Sequence, residues 1–312
     1  MIWCAENKNN FRCYHFNTPE KMKKIVLLAA LFIVFNLYLP AQYTSLLNLN
    51  CPINGATPRS TLISDGTFLY GMTEGGGACG NYGNIFRIMP DGSAYYVLHN
   101  FIGATGSGPL GSLIFDGTYL YGMTSGGGTF NDGVIFKILP TGSGYDTILN
   151  FDGVPKGANP WGSLFYDGTF LFGMTNSGGI NGVGTIFRIM PNGTGFIKLL
   201  DFNGSANGAT PYGSFVSDGT FLYGTTGYGG TTDNGTIFRI MPDGSGYLKL
   251  LDFAGASTGR GPHGDLVSDG TFLYGVTGYG GTNNMGVLFK IMPNGSGYTK
   301  LLDFTGVANG ES

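Results

Sequence analysis

Residues 111–151 read GSLIFDGTYLYGMTSGGGTFNDGVIFKILPTGSGYDTILNF, and this stretch decides the fold. Asp116-Gly117 is a strong signal for a tight hairpin turn, because both residue types tolerate the backbone that such turns require. A glycine-rich loop and a PTGSG turn divide the remainder, and the runs between these breaks are rich in β-branched and aromatic residues. The stretch therefore predicts four strands, at 111–115, 118–124, 134–139 and 145–151.

The same unit occurs five times along the chain. Its marker prolines follow one another at steps of 51 residues, at Pro58, Pro109, Pro160, Pro211 and Pro262. Four short strands in a repeat of about 50 residues, without helical periodicity, are typical of one β-propeller blade. We therefore predict an all-β β-propeller of five complete four-stranded blades, with a β-solenoid as the alternative. The blades correspond to repeats 55–104, 105–157, 158–208, 209–260 and 261–312.

Residues 43–49 (YTSLLNL) match only the last strand of the unit, as in 298–304 (YTKLLDF). We predict that 43–49 is one N-terminal strand belonging to an incomplete sixth blade. Propellers often close by pairing strands from the two ends of the chain, which removes exposed sheet edges. The other three strands of that blade have no counterpart in the sequence, so we expect the chain to be a C-terminally incomplete fragment of a longer protein.

The residues before the repeats have the pattern of a secretory signal peptide. Residues 22–41 begin with MKK, continue with an apolar run and end in a small-residue cleavage point at Pro40-Ala41. The alternative is a membrane anchor, but an apolar run of about 15 residues is shorter than the 20 or so that span a bilayer. We therefore predict an exported protein, secreted or at the cell surface, with no membrane span in the mature repeat domain 42–312. Residues 1–21 fit no such pattern, and we expect them to be a mis-assigned upstream translation and disordered.

The composition excludes several function classes. Glycine contributes 57 of 312 residues while 42% are hydrophobic, so the glycines punctuate packed strands rather than a disordered chain. Only 11% of residues are charged, and no cluster of Lys and Arg could neutralise nucleic-acid phosphates. The glycine-rich loops do not precede helices, so they lack the context of a phosphate-binding loop. The turns that resemble calcium loops carry Thr141, Asn192 and Asn294 in place of Asp, and we expect neither a metal nor a cofactor.

Two cysteines, Cys51 and Cys79, lie in the mature domain. An isolated pair in an exported protein is typical of a single disulfide. Cys51 lies in a connection before a first strand and Cys79 in a loop between second and third strands, which lie on one face of a propeller. This placement favours pairing, with two free buried thiols as the alternative.

The residue after each marker proline opens the innermost strand of its blade, so these residues should surround the mouth of the central channel. They are Arg59, Leu110, Trp161, Tyr212 and His263. The glycine-rich loops nearby carry Tyr82, Phe130, Tyr228 and Tyr279. Exposed aromatic rings beside polar groups stack on sugars or contact proteins. Our ligand-binding candidates are therefore Arg59, Trp161, Tyr212, His263, Tyr228 and Tyr279, and the alternative is that the rings only pack between neighbouring loops.

Repeat five alone combines Arg260, His263 and Asp265, in which a His and a carboxylate two positions apart on a strand could form a general base. No nucleophile or second acid accompanies them, so we assign no catalytic residue. The aspartates of the Asp-Gly turns are instead expected to pair, as structural charges, with the basic residue of each third strand. Those basic residues are Arg87, Lys137, Arg188, Arg239 and Lys290.

The recurring unit L-Y-G-M-T-x-G-G-G … G-x-I-F-[RK]-I-x-P-[DN]-G … L-L-D-F-x-G resembles the GloVer tandem repeat of bacterial surface proteins of the choice-of-anchor type. The resemblance covers residues 43–312. It implies an exported, propeller-like array in proteins that often end in a sorting or anchoring segment. The family is defined by its repeat, and the resemblance transfers no catalytic residues to this chain.

These observations favour an exported, noncatalytic repeat scaffold that binds a surface protein or a glycan through its loop-rich face. The alternatives are a carbohydrate-active lyase or hydrolase on a propeller, and a purely structural surface array. A hydrolase needs two carboxylates about 5 to 10 Å apart, and Glu74 or Asp265 beside another acid in one pocket would favour it.

Overall fold

The computed structural model of the chain describes residues 2–7, 10–15, 44–50, 53–78 and 80–306. The chain divides into two compact units, Met1–Ser45 and Leu46–Ser312. The predicted signal peptide at 22–41 lies outside the described residues and stays a prediction, as does the disulfide between Cys51 and Cys79. Within the described residues, no helix has the length and apolar character needed to cross a membrane.

In the first unit, β1 (Ile2–Asn7) and β2 (Asn10–His15) pair as an antiparallel hairpin, with Trp3 opposite Tyr14. These residues therefore differ from the disorder expected across 1–21. Both segments contain several aromatic and apolar residues, which favour strands once two such segments adjoin. The assignment of 1–21 to a mis-assigned translation start stays a prediction.

Within the described part of the second unit, each of the five repeats forms one four-stranded antiparallel sheet. Blade 1 contains β3 (Ile63–Ser64), β4 (Leu69–Thr73), β5 (Asn84–Ile88) and β6 (Tyr96–Asn100). Blade 2 contains β7 (Ile114–Phe115), β8 (Leu120–Thr124), β9 (Val134–Ile138) and β10 (Asp146–Asn150). Blade 3 contains β11 (Phe165–Tyr166), β12 (Leu171–Thr175), β13 (Thr185–Ile189) and β14 (Ile197–Asp201). Blade 4 contains β15 (Val216–Ser217), β16 (Leu222–Thr226), β17 (Thr236–Ile240) and β18 (Leu248–Asp252), and blade 5 contains β19 (Val267–Ser268), β20 (Leu273–Val276), β21 (Val287–Ile291) and β22 (Thr299–Asp303).

The predicted β-propeller is confirmed. Each blade pairs its strands in chain order, so every strand joins its sequence neighbour by an antiparallel ladder. A parallel β-helix would instead stack equivalent strands of successive repeats in parallel, which these pairings exclude. All four strands expected in each repeat are present, although each first strand is only two residues long.

The hydrophobic core lies between blades rather than inside them. At each junction, the phenylalanine that follows a fourth strand packs edge-on against the phenylalanine of the next blade's third strand, as Phe151 does against Phe187 at 5.4 Å between ring centroids. The equivalent pairs at the other junctions are Phe101–Phe136, Phe202–Phe238 and Phe253–Phe289. Gly173 permits this packing, because a Cβ there would lie 2.5 Å from the Phe187 ring. A single blade therefore has an apolar face that only the next blade covers.

The charge pairing expected between Asp-Gly turns and third-strand basic residues is wrong. In blade 4, Asp218 accepts hydrogen bonds from the N–H groups of Thr220 and Phe221 and from the hydroxyl of Tyr223, which satisfies both of its oxygens. Burial raises the pKa of Asp218, but these donors outweigh it and hold that pKa below the usual value. The Arg239 guanidinium lies over the Phe221 ring instead, 4.2 Å from its centroid, and blades 1, 3 and 5 repeat this cation–π contact.

Residues 44–50 form no strand, in contrast to the expectation for 43–49. A strand requires a partner ladder, and no third strand for that blade is present among the described residues. The segment still takes the place of a fourth strand beside blade 1. Leu46 lies against Gly92 in the turn between third and fourth strands, as Leu98 lies against the matching turn of blade 2.

His99 is a local exception to the repeat, since the other fourth strands carry leucine at this position (Leu149, Leu200, Leu251 and Leu302). Its imidazole stacks on the Tyr145 ring of blade 2 at 3.8 Å between centroids and contacts the edge of Phe101. Nε2 lies 3.2 Å from the hydroxyl of Thr105. Burial lowers the pKa of His99 to about 4, so the folded protein holds the imidazole neutral.

We expect His99→Leu to reduce the acid sensitivity of folding. The unfolded chain takes up a proton at His99 near pH 6.5, whereas the folded chain resists protonation until about pH 4. The stability contributed by the neutral form is therefore complete above pH 6.5 and falls through this window by at most about 1.4 kcal/mol per pH unit. Urea unfolding at about pH 7 and about pH 5 should show a larger loss in the wild type than in the variant. His263 is present in both proteins, so it contributes equally to both losses of stability. Equal losses in the wild type and the variant would therefore contradict the role of His99.

Candidate functional site

The connections between blades and the loops between second and third strands lie on the same face, here called the loop face. Backbone bridges join the two sets directly in every blade. The bridged pairs are Ala56–Gly75, Ser107–Gly126, Ala158–Ser177, Ala209–Tyr228 and Arg260–Tyr279. The loop face is therefore built from segments that precede the first strand and follow the second strand of the same blade.

A central cavity of about 630 Å³ opens among the innermost strands. All five residues that follow the marker prolines line it, although they lie 51 residues apart in the chain: Arg59, Leu110, Trp161, Tyr212 and His263. Two carboxylates, those of Glu74 and Asp265, line the same cavity. The structure thus brings together the five positions that the repeat singled out, and it adds two acids to them.

A row of hydroxyl groups connects the blades around this cavity. The N–H of Ser112 donates to Oγ of Ser163, and the N–H of Ser163 donates to Oγ of Ser214, each at 2.7 Å. The row begins with Thr61, whose N–H donates to Ser112, and continues to Asp265, which accepts from the N–H of Ser214. Each residue stands 51 positions after the previous one.

Sequence reasoning did not identify this row as part of the site. Its signal was the serine of the recurring P-x-G-S-L motif, which keeps the same 51-residue step as the prolines. The glycine of that motif is needed because the inner strands approach closely. A Cβ at Gly162 would lie 2.3 Å from the carbonyl oxygen of Gly213.

One side of the cavity carries a continuous aromatic cluster, here called the aromatic arc. Trp161 meets Tyr212 at 4.9 Å between ring centroids, and Tyr212 meets His263 at 4.4 Å. Tyr228 and Tyr279 extend the arc outward, at 6.4 Å from Tyr212 and His263 respectively. Trp161, Tyr228 and Tyr279 stay 41%, 48% and 44% exposed, so packing between loops covers only about half of each ring. Five of the six candidate residues therefore form one surface.

Burial also sets the protonation of the arc. It lowers the pKa of His263, which keeps the imidazole neutral at neutral pH, and it raises the pKa of Tyr212, which keeps the phenol protonated. The neutral imidazole has one donor and one acceptor nitrogen. The Arg260 guanidinium covers the outer end of the arc, 5.2 Å from the centroid of Tyr279.

The opposite side of the cavity carries the sixth candidate, Arg59. Its guanidinium donates to the carboxylate of Glu74, and 62% of the Arg59 side chain is exposed. The cavity therefore has an aromatic side and a side with the Arg59–Glu74 ion pair, and the hydroxyl row runs around it.

Two smaller cavities flank the central one on the loop face. One, of about 510 Å³, lies between blades 4 and 5, is lined by Tyr228, Arg260 and Tyr279, and shares His263 with the central cavity. The other, of about 420 Å³, lies between blades 1 and 2, is lined by Tyr82 and Ser107, and shares Glu74. His263 thus lines both the central cavity and the cavity between blades 4 and 5.

The proposed constellation of His263 and Asp265 does not form a hydrogen-bonded pair. Asp265 accepts from the N–H of Ser214, whereas His263 packs against tyrosine rings. Among the described residues, no group of three or more His, Cys, Asp and Glu side chains is placed to hold a metal ion. The arrangement offers stacking surfaces and fixed hydrogen-bonding groups.

Comparisons with known proteins agree with the repeat and the fold. A family model described as the Gloeobacter/Verrucomicrobia repeat matches residues 33–169 and 154–312, which confirms the resemblance seen in the sequence. No curated protein matches the chain. Among solved structures, a nidogen/laminin complex is similar at 18% identity and a TM-score of 0.51, covering 76% of this chain and 78% of that chain. The extracellular domain of a hybrid two component system from B. thetaiotaomicron is similar at 14% identity and a TM-score of 0.54, covering 82% of this chain and 29% of that chain. At these identities the likeness concerns the fold alone.

We expect Ser163→Ala to destabilise the protein by about 1 to 2 kcal/mol, because the partly buried N–H of Ser112 loses its acceptor. Ser163→Thr is the matched control, since Thr61 occupies the equivalent position in blade 1 and keeps the hydroxyl. Urea unfolding of the three proteins measures the difference. If threonine costs as much as alanine, packing rather than the hydroxyl row accounts for the effect.

Proposed function

Because this chain belongs to the Gloeobacter/Verrucomicrobia repeat family, and its repeats build a β-propeller, we propose that it is an exported, noncatalytic scaffold that binds a glycan in the central cavity of its loop face. The observation that carries the proposal is the aromatic arc along one side of that cavity. The half-exposed ring of Trp161 at its inner end lines this cavity together with the hydroxyl row and the Arg59–Glu74 pair.

The two sides of the cavity match the two kinds of surface on a sugar. A pyranose ring has an apolar face of C–H groups, which stacks on indole and phenol rings, and an edge of hydroxyl groups that both donate and accept hydrogen bonds. Trp161 and Tyr212 offer the rings. Glu74 and Ser163 offer acceptors, and the Arg59 guanidinium offers donors. Low net charge, at −3 for the whole chain, suits a neutral polar ligand better than a polyelectrolyte.

Shape favours a glycan over a protein partner at this site. Small ligands bind in concave cavities of about 300 to 1,000 Å³, whereas stable protein interfaces bury at least about 1,200 Å² of flatter surface. The central cavity, at about 630 Å³, is within the range for a small ligand. The cavity between blades 4 and 5 continues from it past His263, so a short oligosaccharide could occupy both.

A glycoside hydrolase is the second candidate, because Glu74 and Asp265 line one cavity and hydrolysis of a glycosidic bond uses two carboxylates. Both carboxylates already have structural partners. Glu74 is ion-paired with Arg59, and Asp265 accepts the N–H that ends the hydroxyl row. These partners favour binding without hydrolysis.

Export rests on the sequence pattern of residues 22–41. The solved extracellular domain from B. thetaiotaomicron has a similar fold, which supports such a location. We propose on these grounds that this protein is secreted or at the cell surface.

We expect Trp161→Ala to weaken glycan binding at least about tenfold, because the sugar loses its stacking surface. Isothermal titration calorimetry with cellohexaose, chitohexaose and a soluble galacturonan tests neutral, N-acetylated and acidic sugars. Tyr212→Ala should weaken binding of the same sugar. Phe130→Ala is the matched control, because this loop aromatic is 56% exposed and belongs to blade 2, away from the arc.

Binding that survives Trp161→Ala unchanged would contradict the proposed site, and no binding of any of these sugars would favour a purely structural array. Incubation of each bound sugar with the wild type, followed by measurement of new reducing ends, separates binding from hydrolysis. Release of reducing ends that is lost in Glu74→Gln and Asp265→Asn would establish the hydrolase instead.

A further inference from the structure

Blade 5 has an apolar face that the described residues leave uncovered. Val276 is 42% exposed and Leu302 is 38% exposed. Val276 occupies the position of Thr225 in blade 4, which is 1% exposed because blade 5 covers it. Phe304 is likewise only half-buried, whereas Phe253 is fully buried. The side chains that are buried against the next blade in blades 1 to 4 are therefore exposed to solvent in blade 5.

Blade 1 has the complementary opening on its other face. Leu62 is 47% exposed, whereas its counterparts Leu113 and Leu164 are 1% and 3% exposed because a preceding blade packs on them. Each of the four junctions in the chain joins a face like that of blade 5 to a face like that of blade 1. The uncovered face of blade 5 and the uncovered face of blade 1 are thus the two kinds of surface that pack together at every junction between blades.

Beside blade 1, the described residues 46–50 and 53–54 take the place of a fourth strand and its following connection. The hydroxyl of Tyr95 donates to the carbonyl of Asn54, as the hydroxyl of Tyr247 donates to Asn207 in the later repeat. Oδ1 of Asn54 accepts from the N–H of Asn50, and Oδ1 of Asn207 accepts in the same way. The first, second and third strands that would accompany this segment are not among the described residues.

We propose that these two faces and the segment 46–49 receive one more set of first, second and third strands with the sequence pattern of this same repeat, which completes a sixth blade. The incoming Leu, Val, Phe and Ile side chains cover Val276 and Leu302, as those of blade 5 cover blade 4. The incoming third strand pairs with 46–49. Leu62 is then covered by the second and third strands of the new blade.

A second copy of the chain does not fit this position. The five blades surround one cavity, so a copy docked by the same junction is turned about the same axis. Its second to fifth blades would then coincide with blades of the first copy. The occupant is therefore one set of first, second and third strands, and not a whole second copy of the chain.

The test appends a copy of residues 262–297 directly after Ser312, which continues the 51-residue step of the marker prolines. Hydrogen exchange is measured with and without this extension. We expect the amides of residues 46–50 and 273–276 to exchange at least about tenfold more slowly in the extended protein. The new strands would pair with the first segment and cover the face of blade 5 that contains the second. Val276→Asp combined with Leu302→Asp in the extended protein should abolish the gain. Unchanged exchange at both segments would overturn the proposal.

Two measurements on the unextended chain keep the proposal falsifiable if the extension fails to fold. Val276→Asp should leave the midpoint of thermal unfolding nearly unchanged, whereas the matched Thr225→Asp should lower it by about 10 °C, since it buries a carboxylate in a junction. An equal loss in both variants would mean that the blade 5 face is already covered. Sedimentation of the unextended chain as a dimer that dissociates on Val276→Asp would assign the occupant to a second copy and overturn the proposal.

Discussion

The edge-on contact between phenylalanines of neighbouring blades is the interaction on which the rest of the structure depends. At each junction the ring that follows a fourth strand lies about 5.4 to 5.5 Å from the ring of the next third strand, above a glycine that leaves no room for a Cβ. Aromatic pairs prefer this geometry, and they bury large apolar areas without requiring polar partners. Because the core lies between blades, no blade buries its own apolar face, and the stable object is an array rather than a unit. Truncating one of these rings to alanine would cost about 3 to 5 kcal/mol.

This packing also builds the site. Once successive blades are fixed in the same relation, residues 51 positions apart meet at the centre, and the short inner strands approach so closely that a Cβ at Gly111, Gly162 or Gly213 would collide with the next blade. The inner strands have few ladder hydrogen bonds of their own. The hydroxyls of Ser112, Ser163 and Ser214 replace them by accepting N–H groups across junctions. The cavity and the aromatic arc are thus consequences of a junction geometry that is set by the buried phenylalanines.

Much of this architecture could be predicted from the sequence, because the repeat presents each signal five times. The Asp-Gly turns, the four strands, the common loop face and the meeting of Arg59, Trp161, Tyr212 and His263 at one cavity all follow from the 51-residue step. The predictions failed where a side chain had two chemically reasonable partners. Asp218 takes backbone N–H groups and a tyrosine hydroxyl rather than the nearby guanidinium, and the choice depends on distances that a sequence does not give. The strand expected at 43–49 failed for another reason, since a strand exists only with its partner.

The position after each marker proline shows how the inner packing and the lining of the cavity are separated in this fold. The proline, glycine and hydroxyl-bearing residue around it are fixed by the inner packing, so they recur with little change. The intervening side chain points into the cavity, and no junction constrains it, which is why Arg, Leu, Trp, Tyr and His all occur there. Adjacent blades then place Trp161, Tyr212 and His263 within ring contact of one another, although no local sequence signal links them. An array of this kind can therefore vary the lining of its cavity at five positions while its core stays the same.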